Sequence, residues 1–181
     1  IFMKKTYFSE LKKSMNYLSK KNDTIFLGQA VEYKGTAMSN TLVDVPKSKK
    51  IELPVAEEFQ MGISIGCLMK NLTPISIYPR WNFLILATNQ LVNHLDKFEK
   101  MNNGRYKSKA IIRTSIGSKR PLHPQDQHIG DFSSAFKLMA KNIDIIIVKE
   151  PKEIFQAYKK AYNNKTKHSI IVEYGDYYNE K

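Results

Sequence analysis

Cysteine is nearly missing from this chain, with Cys67 the sole thiol in 181 residues. No internal disulfide framework can form, and a reducing, cytoplasmic setting is the expectation. Cys67 itself lies inside an apolar helical stretch and reads as a packing residue. Long hydrophobic runs are missing too. The longest largely apolar stretches, such as residues 143–148, fall far short of the ~20 residues that cross a bilayer, so no membrane partner is expected. Residues 1–5 lead into no apolar stretch of the signal-peptide kind. Glycine and proline number only 8 and 7, and no linker, internal repeat or second domain is visible. Acidic residues are the minority, 17 against 29 basic ones, for a net charge of +12. The lysines are scattered over helix faces and loops rather than interleaved with arginine and aromatics, so no nucleic-acid partner is expected. Two readings of the charge stay open: a solvated lysine-rich surface, or attraction of an acidic protein partner.

What the chain does contain is 42% hydrophobic residues, enough for one core in one domain spanning residues 1–181. Tyr7, Leu11, Met15 and Leu18 recur at helical spacing and predict an amphipathic helix over residues 7–21. A short strand over 24–27 follows and stops at Gly28. Residues 33–50 read as a loop with at most one helical turn. Helix 54–70 and strand 73–78 come next, then the longest helix, 82–101, with Phe83, Leu86, Ala87, Gln90, Leu91, His94, Leu95 and Phe98 along one side. Strand 110–116, a long loop over 117–130, helix 132–141, strand 144–148, helix 152–162 behind Pro151 and strand 169–174 complete the series. Strands apolar throughout, alternating with helices, predict a doubly wound, mainly parallel α/β sheet with helices on both faces.

Working loops in such sheets lie past the carboxyl ends of strands. Residues 28–33, 78–83 and 116–130 qualify on this reading, whereas Glu57 does not. It opens the helix after Pro54 in Leu53-Pro54-Val55-Ala56-Glu57-Glu58-Phe59-Gln60-Met61-Gly62. There it is either a helix-start acid favoured by the macrodipole or a working carboxylate. Residue types and spacing leave both open.

The order of short motifs resembles a known family. Phe26-Leu27-Gly28-Gln29-Ala30-Val31 and the segment from Pro54 to Gly66 are followed by Leu72-Thr73-Pro74-Ile75, Trp81-Asn82-Phe83 and Asn89-Gln90-Leu91-Val92-Asn93. Gln127-His128-Ile129-Gly130-Asp131-Phe132 and Asn142-Ile143-Asp144-Ile145 come last. In this order they are similar to the pyrimidine-binding domain of transketolase-like thiamine-diphosphate enzymes. The resemblance is greatest to the amino-terminal half of the β subunit of 2-oxo acid dehydrogenase E1 components, and it covers nearly the whole chain.

The resemblance implies a function. It makes Glu57 the glutamate that hydrogen-bonds N1′ of the cofactor's aminopyrimidine and supports its imino tautomer. Such a carboxyl benefits from dry surroundings, which Val55, Phe59 and Trp81 are expected to supply, while Glu58 points elsewhere. Tyr78, Trp81 and Phe83 sit where the family stacks an aromatic on the pyrimidine. Trp81 is the expected cofactor wall, and Phe83 reads more as core. His128 corresponds to the family histidine of the substrate channel, and His123, five residues earlier on the loop, could assist. Arg80, Lys119 and Arg120 either hold an anionic substrate group or form a solvated loop.

Departures from the family pattern bear on what carries over. Gln29 occupies a cofactor-side position where the pattern usually has an acid, so a proton-relay contact across the subunit interface is expected to be weakened or absent. The 117–127 loop is not the glycine-rich version, so substrate specificity does not transfer. The glycine-aspartate-glycine…asparagine motif that holds diphosphate and Mg2+ has no counterpart, nor does the family's carboxyl-terminal domain. No metal-ligating residue is therefore expected here. A partner subunit is expected to carry the diphosphate domain and the Mg2+, in an α2β2 assembly acting on a 2-oxo acid or ketose. The alternative is a non-catalytic interaction or regulatory subunit that retains the fold.

Overall fold

A computed structural model describes residues 6–33, 36–120 and 123–179. Residues 1–5, inspected above for a leader, and Pro121 and Leu122 of the long loop lie outside the described residues. Six strands form one sheet: β1 Thr24–Gly28, β2 Lys50–Glu52, β3 Thr73–Ile77, β4 Ile111–Ile116, β5 Ile143–Ile147 and β6 His168–Tyr174. Their order is β2-β1-β3-β4-β6-β5 and every pairing is parallel. The expected doubly wound α/β architecture is what the chain adopts.

Strand side chains alternate between two cores, as the two-residue period requires. Phe26, Ile75, Ile77, Ile111 and Ile171 meet α1 (Tyr7–Ser19) and α7 (Pro151–Asn163), whose Leu11, Met15, Ile154 and Tyr158 are buried. Ile112, Ile170 and Val172 meet the opposite layer of α3 (Glu57–Met69), α4 (Trp81–Leu84), α5 (Phe98–Met101) and α6 (Ser133–Met139). A short α2 (Ala37–Asn40) is the one helical turn allowed for in the 33–50 stretch. Thr6 caps α1 with a reciprocal hydrogen-bonded box to Ser9, which fixes where that helix begins.

Two sequence expectations change. Residues 82–101 are not one helix: α4 passes into a 3-10 turn, Ile85–Ala87, then a π-helical stretch, Gln90–Leu95, before α5. Across these turns Leu84, Ala87, Leu91, Leu95 and Phe98 reach the core, while Leu86 and His94 are exposed. The second change is β2, a half-exposed edge strand of Lys, Ile and Glu that the apolar pattern did not mark. Because α3 follows β2, Glu57 does lie just past the carboxyl end of a strand, on the same edge as the other loops.

Gly28 closes β1 at φ +143°, and a Cβ there would lie 2.3 Å from the Ile77 carbonyl oxygen and 2.8 Å from Gln60 Nε2. Only glycine fits this approach. On the other face the core holds a charge pair. Arg113 of β4 grips Glu173 of β6 through two bonds of 2.7 and 3.0 Å, both side chains fully buried. Tyr158 and Tyr178 donate their hydroxyls to Glu173, and Arg113 donates to Thr41 Oγ1 at 2.8 Å. A buried pair is tolerable only when its remaining donors and acceptors are satisfied, and these partners supply them.

His168 opens β6 in a buried site, where Nδ1 accepts the Ala110 N–H at 2.9 Å. Burial and the Lys109 charge push its pKa down to about 3, against the opposing pull of Glu99 and Asp96. The folded-state value is the lower one, so between pH 6.5 and about 3 the unfolded chain binds the extra proton. Stability is whole above the unfolded value and is lost as pH falls through this window. Replacing His168 by Asn keeps an acceptor for Ala110 and removes the titration. Denaturation midpoints from pH 7 to 4 are expected to fall less for His168→Asn than for the parent; equal slopes would rule out this source.

Candidate active site

The edge where all six strands end gathers most of the side chains singled out in the sequence. Glu57 is the first residue of α3 and is buried, 5% exposed. Ala56, its helix cap, offers no side-chain acceptor, so the carboxylates of Glu57 and Glu58 are the anionic groups of the first turn. Glu58 is exposed. Gln29, one residue beyond β1, donates its Nε2 to Glu57 Oε1 at 3.1 Å. Within this chain Gln29 thus meets Glu57 through an amide donor. Tyr78, one residue beyond β3, donates its hydroxyl to the Glu57 backbone carbonyl at 3.2 Å. Burial, reinforced by the Glu57 charge, pushes the Tyr78 phenol well above its usual range, so it stays a donor.

Beneath Glu57 runs a buried polar ladder. Gln60 Nε2 donates to Ile77 O at 2.9 Å and to Ser76 Oγ at 3.1 Å, and Ser64 Oγ bridges Gln60 O and Ser76 Oγ at 2.9 Å each. Positions 57, 60 and 64 share one helix face, so this ladder fixes the rotation of α3 against β3. Rotation and height together aim Glu57 at the strand ends. Residue types at helical spacing carried the signal for Gln60 and Ser64, two polar side chains on the otherwise apolar inner stripe.

The aromatics resolve differently from expectation. Trp81 is fully buried, packed on Phe136 at 4.9 Å between ring centroids, and presents no free face to a ligand. The expected cofactor wall at Trp81 is therefore core. Tyr78 is likewise fully buried and serves Glu57 from behind rather than as a stacking surface. Phe83, read more as core, is half-buried and pairs with the His128 ring at 5.2 Å. Val55 and Phe59, expected to keep Glu57 dry, are 79% and 55% exposed. Burial of Glu57 by the described residues comes from the Gln29 and Tyr78 side instead.

His128 lies at the end of a 3-10 turn, Asp126–His128, with Nδ1 buried and unpaired among the described residues. Arg80 holds this segment, donating Nη1 to the His128 carbonyl at 3.0 Å and to Ser118 O at 3.4 Å. Asp176 grips the other end of the loop through the Lys119 and Arg120 N–H groups at 2.7 and 3.2 Å. Arg80 thus spends its guanidinium on loop carbonyls, whereas Lys119 and Arg120 are exposed. His123 is exposed too, its Nδ1 accepting the Gln125 N–H at 3.0 Å, and no contact joins it to His128. A cleft of about 410 Å3 opens beside Arg80 and Ser118, between the α2 segment and the Gly175–Tyr178 turn. Among the described residues, no cluster of three or more His, Cys, Asp or Glu could hold a metal ion. No helix there is long and apolar enough to cross a membrane. Removing the Arg80 clamp by Arg80→Ala is expected to speed amide hydrogen exchange at 118–120 and 126–128 while sparing β4. Unchanged exchange in that loop would exclude the clamp.

No family model matches the chain. Among curated proteins it is 28% identical over 119 residues to the mitochondrial pyruvate dehydrogenase E1 component subunit beta of Saccharomyces cerevisiae, covering 64% of this chain and 32% of that one. The corresponding Caenorhabditis elegans subunit is 29% identical over 128 residues, 68% of this chain and 36% of its own. A chloroplastic subunit beta-3 of Oryza sativa subsp. japonica is 33% identical over 72 residues, 40% of this chain and 18% of its own. The chain thus spans about a third or less of the curated relatives it matches. Among solved structures it shares its fold with a split-gene transketolase described as an inactive beta4 tetramer. The TM-score is 0.66 at 14% identity, over 92% of this chain and 50% of that one.

Proposed function

We propose, for a chain that is E1 β-like in sequence and transketolase-like in fold, that it is the pyrimidine-binding half of a thiamine-diphosphate active site. The observation that carries this reading is Glu57. It is a buried carboxylate at the head of α3, with one oxygen on Gln29 and the other taking no hydrogen bond from the described residues. That geometry fits the aminopyrimidine, which needs a fixed carboxyl facing a ring nitrogen. When bound, thiamine diphosphate supplies the nucleophilic carbon and electron sink for cleaving or transferring a carbon–carbon bond next to a carbonyl.

The chain's own residues then have distinct tasks. Glu57 holds a proton at the pyrimidine ring nitrogen, in surroundings dry enough to strengthen that bond. Gln29 orients its carboxylate and Tyr78 fixes the backbone beneath it. Phe83 of α4 and His128 of the neighbouring loop, their rings paired, are the aromatic and polar groups available to the substrate side. The half-buried His128 imidazole, set against Phe83, would be the group that meets a carboxylate or carbonyl of a 2-oxo acid or ketose.

The diphosphate and its Mg2+ belong on this reading to a partner subunit, in an α2β2 assembly. The outward face of α3 supports a partner there. Phe59, Gly62 and Gly66 recur at helical spacing and are all exposed, as is Val55 just before the helix, and a Cβ at either glycine would meet nothing within 4 Å. Such a flat apolar strip beside a buried carboxylate is suited to coverage by another chain. The half-buried free thiol of Cys67 fits a reducing compartment such as the cytoplasm.

Co-expression with a chain carrying the diphosphate motif tests the proposal. The pair is expected to bind thiamine diphosphate and turn over a 2-oxo acid or ketose, and Glu57→Gln to lower turnover about 10^2- to 10^4-fold. If the Glu57→Gln pair binds cofactor and keeps full turnover, this chain is left as a non-catalytic subunit.

A further inference from the structure

We propose that Glu52 is a positioning residue for Glu57, acting through Gln29. The register of the edge strand sets this up: β2 pairs with β1 so that Glu52 lies opposite Gly28. Its side chain therefore reaches the chain just past Gly28. There the carboxylate accepts three consecutive backbone N–H groups, Ala30 on Oε1 and Val31 and Glu32 on Oε2, each at 2.7 Å. Consecutive N–H groups converging on one anion form a backbone nest, and charge-assisted bonds of this length are the strong kind.

The nest requires a particular backbone. Ala30 is held at φ +55°, a left-handed conformation that disfavours a residue with a Cβ. Nothing about alanine selects that conformation; three N–H groups gathered on one carboxylate do. The same turn fixes Gln29, whose backbone is bracketed by the Gly28 contact with Ile77 on one side and the nest on the other. Its side chain then spans to Glu57 Oε1 at 3.1 Å. Leu53 N–H to Gly28 O at 2.9 Å continues the strand pairing past Glu52, so the supporting carboxylate is itself held.

The inference rests on the catalytic reading of Glu57 only for its effect on turnover. The structural coupling is read in the chain alone, from the Gln29 side-chain amide resonances and from hydrogen exchange at residues 30–32. Glu57→Ala first defines the amide position of an unbound Gln29. Glu52→Ala is expected to move the Gln29 amide to that same position and to speed exchange at Ala30, Val31 and Glu32 about tenfold or more. Glu52→Gln, which keeps one acceptor oxygen, is expected to fall between, and it serves if the alanine variant does not fold. A Gln29 amide left where it stands in the parent by either folded variant would overturn the proposal.

In the paired, cofactor-loaded enzyme the same logic predicts non-additivity. Turnover of Glu52→Ala combined with Gln29→Ala should equal that of Gln29→Ala alone. Losses that multiply would show Glu52 acting by another route and overturn the proposal. If the amide coupling holds while Glu57→Gln leaves turnover intact, the catalytic reading falls and the positioning role stands.

Discussion

The site depends on one close approach, that of the Gly28 backbone to the Ile77 carbonyl with Gln60 wedged beside them. Here β1, β3 and α3 meet with no room for a side chain. Because Gly28 lies so close, β1 ends flush with β3, and Gln29 and Tyr78 emerge at the same height. Because Gln60 reaches the same carbonyl, α3 is locked in rotation, and Glu57 one turn earlier is brought between them. The carboxylate is thus set by backbone packing rather than by a pocket of large apolar side chains, which is why Val55 and Phe59 can stand exposed without unsettling it.

Around that point, fixed charges tie loops to the sheet edge. Glu52 gathers the amides after β1, Asp176 those after β4, and Arg80 binds carbonyls at both ends of the histidine loop. Deeper, Arg113 and Glu173 join β4 to β6 and reach Thr41 and Tyr178, drawing the α2 and carboxyl-terminal segments onto the core. Loops that carry chemistry must hold side chains to within fractions of an ångström. Multiple charge-assisted bonds do so without a long loop having to bury apolar area of its own.

Much of this was legible in the residues. Short, largely apolar strand segments and the helical period of Leu11, Met15 and Leu18 sufficed for the parallel α/β architecture, and the motif order singled out Glu57. What escaped was set by tertiary contacts. Three residues of β2 with two charges carry no strand period, so Glu57 seemed remote from any strand end. A tryptophan and a phenylalanine two residues apart look alike in sequence, and only helix rotation sends Trp81 inward and leaves Phe83 beside His128. The helical period of residues 82–101 was real, but it did not show that Leu86 and His94 face outward while Leu84 is buried. Arg113 and Glu173, charges inside apolar strands, were the unread sign of a buried pair.

The central claim is that this chain offers Glu57 to a cofactor anchored by another polypeptide. An experimental structure of the chain with its diphosphate-binding partner and thiamine diphosphate tests it most directly. The account predicts a Glu57 carboxylate oxygen within hydrogen-bonding distance of the aminopyrimidine N1′, Gln29 still on the other oxygen, and the outward strip of α3 covered by the partner. A cofactor bound elsewhere, or a Glu57 carboxylate facing only protein, would contradict it.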